Sequence, residues 1–290
     1  MASILTEDRR TTHLRDLLVC PRCKGALRGS IESLKCESCE IQYDSANGIP
    51  RLFLSDEVGE TTDRQQGLYD EVAHEYDDVF SAHVANHYLA RRTEIIRGLL
   101  SEGLVLDVGA GTGVLAEWVT RAGFDVVAAD ASTGMLAEAN ARGLLGGAGC
   151  FANALPFADN TFHLAYSVAT MHHLETEERV AGTIAEMARV VRWGGFVLIW
   201  DHNPLNPYWP ILMKRVPQDS GEERLVSMGE IVRDCRAAGL RVRSRRRAGL
   251  VPDFMPASLM PIWTQVERLT EAAPLANLLC AHNVVIAQKV

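Results

Sequence analysis

From Leu104 to the end of the chain, short apolar runs alternate with stretches of helical spacing, and this alternation constrains the fold more than any other feature. LVLDV (104–108), VVAAD (126–130), GCFANA (149–154), TFHLAYSV (161–168) and FVLIWD (196–201) read as strands. GVLAEWVTRAG (113–123), TGMLAEANARG (133–143) and ERVAGTIAEMARVV (178–191) fill the gaps as helices, the last one stopped by Gly194-Gly195. A helix at MGEIVRDCRAAG (228–239) and strands at LRVRSRRR (240–247) and NVVIAQK (283–289) complete the series. Parallel strands need long crossovers, so the pattern predicts an α/β protein with a doubly wound, mostly parallel, seven-stranded sheet. Ligands of such sheets bind outside the carboxyl ends of the strands. The candidate positions are therefore Asp107, Asp130, 152–155, 168–173 and 201–204.

Before this region the composition differs. Cys20-Pro-Arg-Cys23 and Cys36-Glu-Ser-Cys39 are two C-x2-C knuckles with twelve residues between them. Four thiolates at this spacing enclose one tetrahedral zinc and leave no open position, so the expected role of the metal is structural. A segment this small has little core of its own, and a metal staple compensates for that. The polar run Ser55–Gln66 (SDEVGETTDRQQ) reads as a linker. The boundaries that follow are a zinc ribbon at 1–57, a linker at 58–67 and a larger unit at 68–290, with proline-punctuated lid segments at about 204–222 and 250–270.

The first twenty residues carry no long apolar core before a small-residue cleavage site, and clustered cysteines without a secretory leader point to a reducing, cytoplasmic setting. No apolar run reaches the ~18 residues of a membrane span. The formal net charge of −8 gives a long phosphate backbone no help from the overall field.

The turn Asp107-Val-Gly-Ala-Gly-Thr-Gly113 follows a strand and opens a helix. A dinucleotide fingerprint would need Gly or Ala at 114, where Val114 stands. Asp107 would repel a pyrophosphate and attract a cation. Asp130 ends the next strand and can accept both hydroxyls of a ribose. Two acids around a glycine turn thus fit a cationic nucleoside better than NAD.

LDVGAGTG (106–113), VVAAD (126–130), NALPFADNTF (153–162), SVATMHHL (167–174) and RVVRWGGFVLI (189–199) together resemble the successive motifs of class I S-adenosylmethionine-dependent methyltransferases, in the small-molecule, type 11-like branch. The resemblance runs from about residue 68 to the C-terminus and implies a Rossmann-like methyltransferase fold. By that resemblance, Gly109 and Gly111 contact the methionyl end of the cofactor and Asp107 its ammonium. Asp130 holds the ribose, Met135 packs near adenine, and Asn153 with Ala154 reads the adenine edge. Ala110, Ala131, Leu155 and Val168 complete the cofactor site. Tyr69 and Tyr76, in Tyr69-Asp70-x-x-Ala73-x-x-Tyr76-Asp77, match a helix that closes over the cofactor. Asn153 stands where the family usually has Asp, and His163 replaces a usual Asp at a position expected to lie at the surface. The cysteine segment, LLVCPRCKGAL to GIPRLF (17–53), resembles the zinc ribbon of a small activator subunit of tRNA and release-factor methyltransferases.

For methyl transfer to a hydroxyl, a base must take the proton. Met171-His172-His173-Leu174 and Asp201-His202-Asn203-Pro204 sit at neighbouring strand ends, which makes His172 the first candidate base with Asp201 as its orienting acid, and His202 and His173 the alternatives. Tyr208, Trp209, Phe254, Met255, Met260 and Trp263 are candidate walls for an apolar or aromatic acceptor. Arg241, Arg243, Arg245 and Arg247 alternate along a strand and read as a solvated edge face. The expected function is a methyltransferase of natural-product-like small molecules, with no nucleic-acid or membrane partner and a homodimer as its assembly. The alternatives are an RNA methyltransferase that grips RNA with the ribbon and a non-catalytic partner protein of the same fold.

Overall fold

The computed structural model describes residues 14–54, 67, 69, 81–207, 209 and 223–290. Most of the expected linker, the Asp70–Asp77 part of the tyrosine motif including Tyr76, and Tyr208 with most of the first lid segment lie outside the described residues.

The N-terminal part is an antiparallel meander of Leu27–Ser30 (β1), Ser33–Cys36 (β2), Gln42–Ala46 (β3) and Ile49–Pro50 (β4). Its strands are too short to enclose a core, so the inward residues share one with the rest of the chain. Leu18, Leu27, Leu34, Tyr43 and Leu52 belong to the same buried cluster as Leu106, Val108, Ile184 and Val197. Backbone pairing adds to this: Leu18 bridges Phe157, Arg51 bridges Gly149, and the Leu52 amide donates to the Gly149 carbonyl at 2.7 Å.

The rest of the chain runs α1 (Ala82–Leu99), β5 (Leu104–Val108), α2 (Val114–Arg121), β6 (Asp125–Asp130), α3 (Thr133–Ala141), β7 (Gly146–Gly149), β8 (Phe162–Val168), α4 (Glu177–Val190), β9 (Val191–His202), α5 (Met228–Ala237), β10 (Leu240–Ala248), α6 (Met260–Ala272) and β11 (His282–Lys289). The helices begin where the sequence supplies caps. Ser132, Thr176 and Ser227 each accept a hydrogen bond from the amide three residues on. The strands form one sheet in the order β10-β11-β9-β8-β5-β6-β7. Neighbours from β9 to β7 are parallel, and β11 runs antiparallel between β9 and β10. One apolar face packs on α4, α5 and the N-terminal meander, the other on α1, α2 and α3. The doubly wound α/β expectation holds. The order reverses between β5 and β8, so their carboxyl ends flank the crevice where a ligand site is expected.

Several local expectations are corrected. The strand expected at 149–154 is β7 at Gly146–Gly149, followed by a 3-10 turn at Ala152–Ala154. GGAG has little intrinsic strand preference, but Gly147 lies so close to α3 that a Cβ there would reach 2.9 Å from Leu136. α4 ends at Val190 rather than at the glycine pair. Val191 is already extended and pairs with Phe162, so Gly194-Gly195 lies inside β9. His163 is half-buried, and its Nδ1 accepts from the Leu104 amide at 3.1 Å. The arginines do not share one face. A bulge between Val242 and Ser244 sets Arg241 opposite Gln288 but Arg245 opposite Val285, and these partners point to opposite sides of β11.

Candidate active site

After β5 the chain turns through Gly109 (φ +74°) and Gly111 (φ +54°) into α2. A Cβ on Gly109 would overlap the Thr170 side chain, which arrives from the end of β8. The glycine thus lets the two strand ends close on each other at the point of order reversal. At Gly111 nothing lies within 4 Å of the Cβ position. The missing side chain leaves the turn open to a cleft.

Asp130, at the end of β6, ties this turn to the next one. Its Oδ2 accepts from the Gly111 amide and its Oδ1 from the Ser132 amide, each at 2.8 Å. These bonds fix the carboxylate at the edge of the cleft, and a carboxylate oxygen can accept more than one hydrogen bond. Of the residues named from sequence, Tyr69, Gly109, Gly111, Asp130, Ala131, Met135, Asn153 and His173 line the cleft. Ala110, Ala154, Leu155 and Val168 stand beside it without lining it. Asp107 is 3% exposed beneath the turn, where the Tyr166 hydroxyl donates to its Oδ2 at 2.8 Å. Burial pushes its carboxyl up to about 7; the Tyr166 bond opposes the shift, the Asp130 charge adds to it and Arg92 offsets part of it.

Past the rim of this cleft, the ends of β8 and β9 hold a stack of rings. His172 and His202 are stacked at 4.0 Å, His202 and Trp209 at 3.6 Å, and His173 leans on His172 at 4.0 Å. The Tyr69 hydroxyl and His173 Nε2 are 3.3 Å apart. Asp201 is fully buried beneath the stack, 2.9 Å from His172 Nδ1. It also accepts from the amides of Thr170, Met171 and His202 at 3.1, 2.6 and 2.7 Å. Burial alone would raise its pKa, but the neighbouring His172 and these amides hold it below the usual carboxylate range. Burial, with the nearby His172 ring, drives His173 down to about 3, and the same causes push His202 well down. His172, Asp201 and His202 also form a group of buried potential metal ligands. With Nδ1 of His172 engaged by Asp201 and the two imidazoles stacked face to face, the arrangement suits proton handling.

The expected lid residues divide. Met255 is buried with Val84 and Val251, and Met260 and Trp263 pack against that cluster. Trp263 Nε1 donates to the Leu250 carbonyl and Trp209 Nε1 to the Ala281 carbonyl. Phe254 is exposed. α6 is clamped to α1 by Glu267, which meets His87 and Arg91, each at 2.7 Å.

The four cysteine sulfurs converge. Sγ separations are 3.6 Å for Cys20–Cys39, 3.4 Å for Cys23–Cys36 and 3.7 Å for Cys23–Cys39, and no cysteine is in a disulfide. A tetrahedron with Zn–S bonds of ~2.3 Å has S–S edges of ~3.8 Å, so the donor set fits zinc. The amides of Ser38 and Cys39 point at Cys36 Sγ, as they would toward a thiolate.

Residues 106–199 match the methyltransferase domain family. The chain is 33% identical over 168 residues to the demethylmenaquinone methyltransferase of Renibacterium salmoninarum, an alignment spanning 53% of this chain and 68% of the relative. The chain belongs to the class I S-adenosylmethionine-dependent methyltransferases. A second demethylmenaquinone methyltransferase, from Beutenbergia cavernae, is 35% identical over 148 residues, covering 49% of this methyltransferase and 59% of the relative. Among solved structures, a SAM-dependent methyltransferase from Thermotoga maritima aligns with a TM-score of 0.59 at 19% identity, over 78% of this chain and all (100%) of the other. A complex between the Haloferax volcanii Trm112 methyltransferase activator and a methyltransferase gives 0.55 at 19% identity, over 78% of this chain and 96% of that one. At this identity these two establish the fold alone.

The cleft of this methyltransferase suits its cofactor on chemical grounds. An open glycine at 111, an oriented carboxylate at 130 and an apolar slot of Met135, Phe151 and Leu174 match a ribose and a flat base. The sequence did not single out Phe151, Ser132, Cys150, Leu174 or Arg179, which also line the cleft. Phe151 falls inside the strand expected at 149–154. Arg179 is an ordinary helical arginine three residues after the cap of α4, with no local pattern to mark it. Thr170 lies in the strand-end window 168–173, but its contact with Gly109 depends on two strands 60 residues apart meeting at the reversal point.

Proposed function

We propose that this methyltransferase transfers the methyl group of S-adenosylmethionine to a hydroxyl of a small, natural-product-like molecule. The observation that carries the reading is the His172–Asp201 pair, 2.9 Å apart at adjacent strand ends beside the cleft. Gly109, Gly111, Asp130, Ala131, Met135 and Asn153 hold the cofactor, with Ala110, Ala154, Leu155 and Val168 supporting them from behind. Bound there, the cofactor supplies a methyl group made electrophilic by its sulfonium. Asp107, buried beneath the glycine turn, would attract the cofactor's ammonium, and Tyr69 closes the cleft from the side of His173.

A carboxylate only accepts, so Asp201 fixes the proton of His172 on Nδ1 and leaves the Nε2 lone pair to take the acceptor's proton. The same carboxylate stabilises the imidazolium that results. His173 and His202 are held neutral and are weak bases, which makes them wall residues that exclude water and fix the ring of His172. The Trp209 face and the stacked histidines favour a flat or apolar acceptor. The acceptor for which the relatives are named, demethylmenaquinone, is also a small molecule.

The boundaries proposed for the chain are a ribbon at 1–57, a linker at 58–67 and the transferase unit at 68–290. The four cysteines hold one structural zinc, and a thiolate cluster of this kind fits a reducing, cytoplasmic setting. The test is transfer of labelled methyl groups to fractionated small metabolites, with tRNA and rRNA as parallel acceptors. Label in the metabolites that disappears with His172→Ala supports the reading; label in RNA alone overturns it.

A further inference from the structure

The first cysteine knuckle and the cofactor cleft share a wall. Lys24 follows Cys23 directly and has a left-handed backbone (φ +57°), a conformation uncommon for a residue with a Cβ. Its amide donates to the Cys20 carbonyl at 2.8 Å, and the Cys20 amide donates to the Gly25 carbonyl at 2.9 Å, closing the knuckle. The side chain then leaves the ribbon. Its Nζ donates to the Leu155 carbonyl at 3.2 Å and pairs with Glu186 of α4 at 2.9 Å. Arg189 reaches the same carbonyl at 3.0 Å and grips the same Glu186. Leu155 closes the 3-10 turn that presents Asn153 to the cleft.

A second set of contacts runs along the exit of the ribbon. The Val19 amide donates to the Pro156 carbonyl at 2.9 Å, and the Phe53 ring meets Phe151 edge-on at 5.0 Å. Phe151 is itself a wall of the cleft. The turn carrying Asn153 is therefore held from outside, by residues whose positions follow the knuckle.

We infer that Lys24 is a positioning residue for the adenine end of the cleft, and that the knuckle metal and the cofactor bind cooperatively through it. The inference rests on the zinc and cofactor sites of the proposed function. With the sulfurs gathered on one ion, the left-handed turn at Lys24 is fixed and its ammonium stays on Leu155. With the sulfurs released, the turn relaxes and the Asn153 turn loses that anchor. Coupling of this kind is reciprocal: whatever zinc does for the cofactor, the cofactor does for zinc.

The test uses the full chain. S-Adenosylhomocysteine affinity is measured by calorimetry on zinc-loaded protein, chelator-stripped protein and zinc-loaded Lys24→Met. Zinc loss to a chromophoric chelator is timed with and without saturating S-adenosylhomocysteine. We expect stripping and Lys24→Met each to weaken binding by about fivefold or more, the low end of ordinary coupling. We expect S-adenosylhomocysteine to slow zinc loss in the native chain but not in Lys24→Met, and Lys24→Arg to restore most of the protection. A purely structural lysine would lower the melting temperature without affecting that protection. Should Lys24→Met fail to fold, Glu186→Gln, which removes the ion-pair partner of Lys24, serves as the second variant, with a smaller loss of the same protection expected. Zinc-bound, cofactor-binding protein whose two affinities are independent overturns this inference alone. Protein with intact cysteines and no zinc overturns the metal reading and this inference together, and absence of S-adenosylhomocysteine binding in every form overturns the cofactor reading.

Discussion

His172 Nδ1 lies 2.9 Å from Asp201 Oδ1, and the other acceptor positions of that carboxylate are filled by the main-chain amides of Thr170, Met171 and His202. One buried acid thus fixes both the ends of two strands and the tautomer of one imidazole. His172→Ala removes the base while leaving the glycine turn intact. Turnover is expected to fall by about 10²–10⁴-fold, the usual contribution of a general base, with S-adenosylhomocysteine affinity within about twofold of native. Asp201→Asn should cost as much turnover and also destabilise the fold by roughly 1–3 kcal/mol, because its amide NH₂ then faces backbone donors. Steady-state kinetics beside calorimetry checks both. A loss below tenfold for His172→Ala contradicts the assignment.

Asp107 gives cofactor affinity a pH dependence. Its carboxyl is raised to about 7 by burial, so below that pH it is neutral and offers an ammonium little attraction. S-Adenosylhomocysteine binding should tighten as pH rises from 6 to 8, and Asp107→Asn should bind weakly with a flat profile. The linkage to stability has the opposite sign. A carboxyl whose folded pKa exceeds its unfolded value of ~3.9 favours the fold at low pH, and that contribution is lost as pH rises toward 7. The cofactor-free protein should therefore gain relative to Asp107→Asn on acidification from pH 7 to pH 5. Melting curves of both proteins across that range provide the check, and parallel curves would contradict it.

The two glycines of the turn should fail in different ways. Gly109→Ala forces a Cβ into Thr170 at positive φ and is expected to lower the melting temperature markedly, a loss of roughly 1–3 kcal/mol. Gly111→Ala meets no neighbour within 4 Å, so its cost to the fold is the backbone strain alone, about 1 kcal/mol, while its methyl enters the cleft. Thermal melts paired with S-adenosylhomocysteine titration should show Gly109→Ala as the less stable variant and Gly111→Ala as a folded, weakly binding one.

Purified protein should carry one zinc per chain. The basis is the convergence of the sulfurs, with three of the cysteine pairs 3.4–3.7 Å apart. Native mass spectrometry reads this directly, and Cys36→Ser, which removes the sulfur that receives two amides, should lose the metal and melt at lower temperature. A metal-free chain with four free thiols would contradict it.

The strand ends are legible because acids and histidines stand where apolar runs stop: Asp130, Asn153 and His173, all in the strand-end windows, line the cleft, while Gly109 and Gly111 come into it through the family resemblance. The knuckles were equally clear, since spacing encodes ligand geometry. β7 was not, because GGAG is selected for closeness to α3 rather than for strand propensity. Phe151 and Arg179 were missed for a related reason. Their place in the cleft comes from the 3-10 turn and the packing of α4 across it, contacts that no local pattern records. The bulge in β10 defeated strict alternation of the arginines because a single inserted residue reverses the faces after it.

The most direct measurement is calorimetric titration of purified protein with S-adenosylhomocysteine and, separately, with NADH. Saturable binding of S-adenosylhomocysteine at one site per chain, weakened by Gly111→Ala, with no heat from NADH, is the predicted result. Tight NADH binding with no response to S-adenosylhomocysteine would contradict the account.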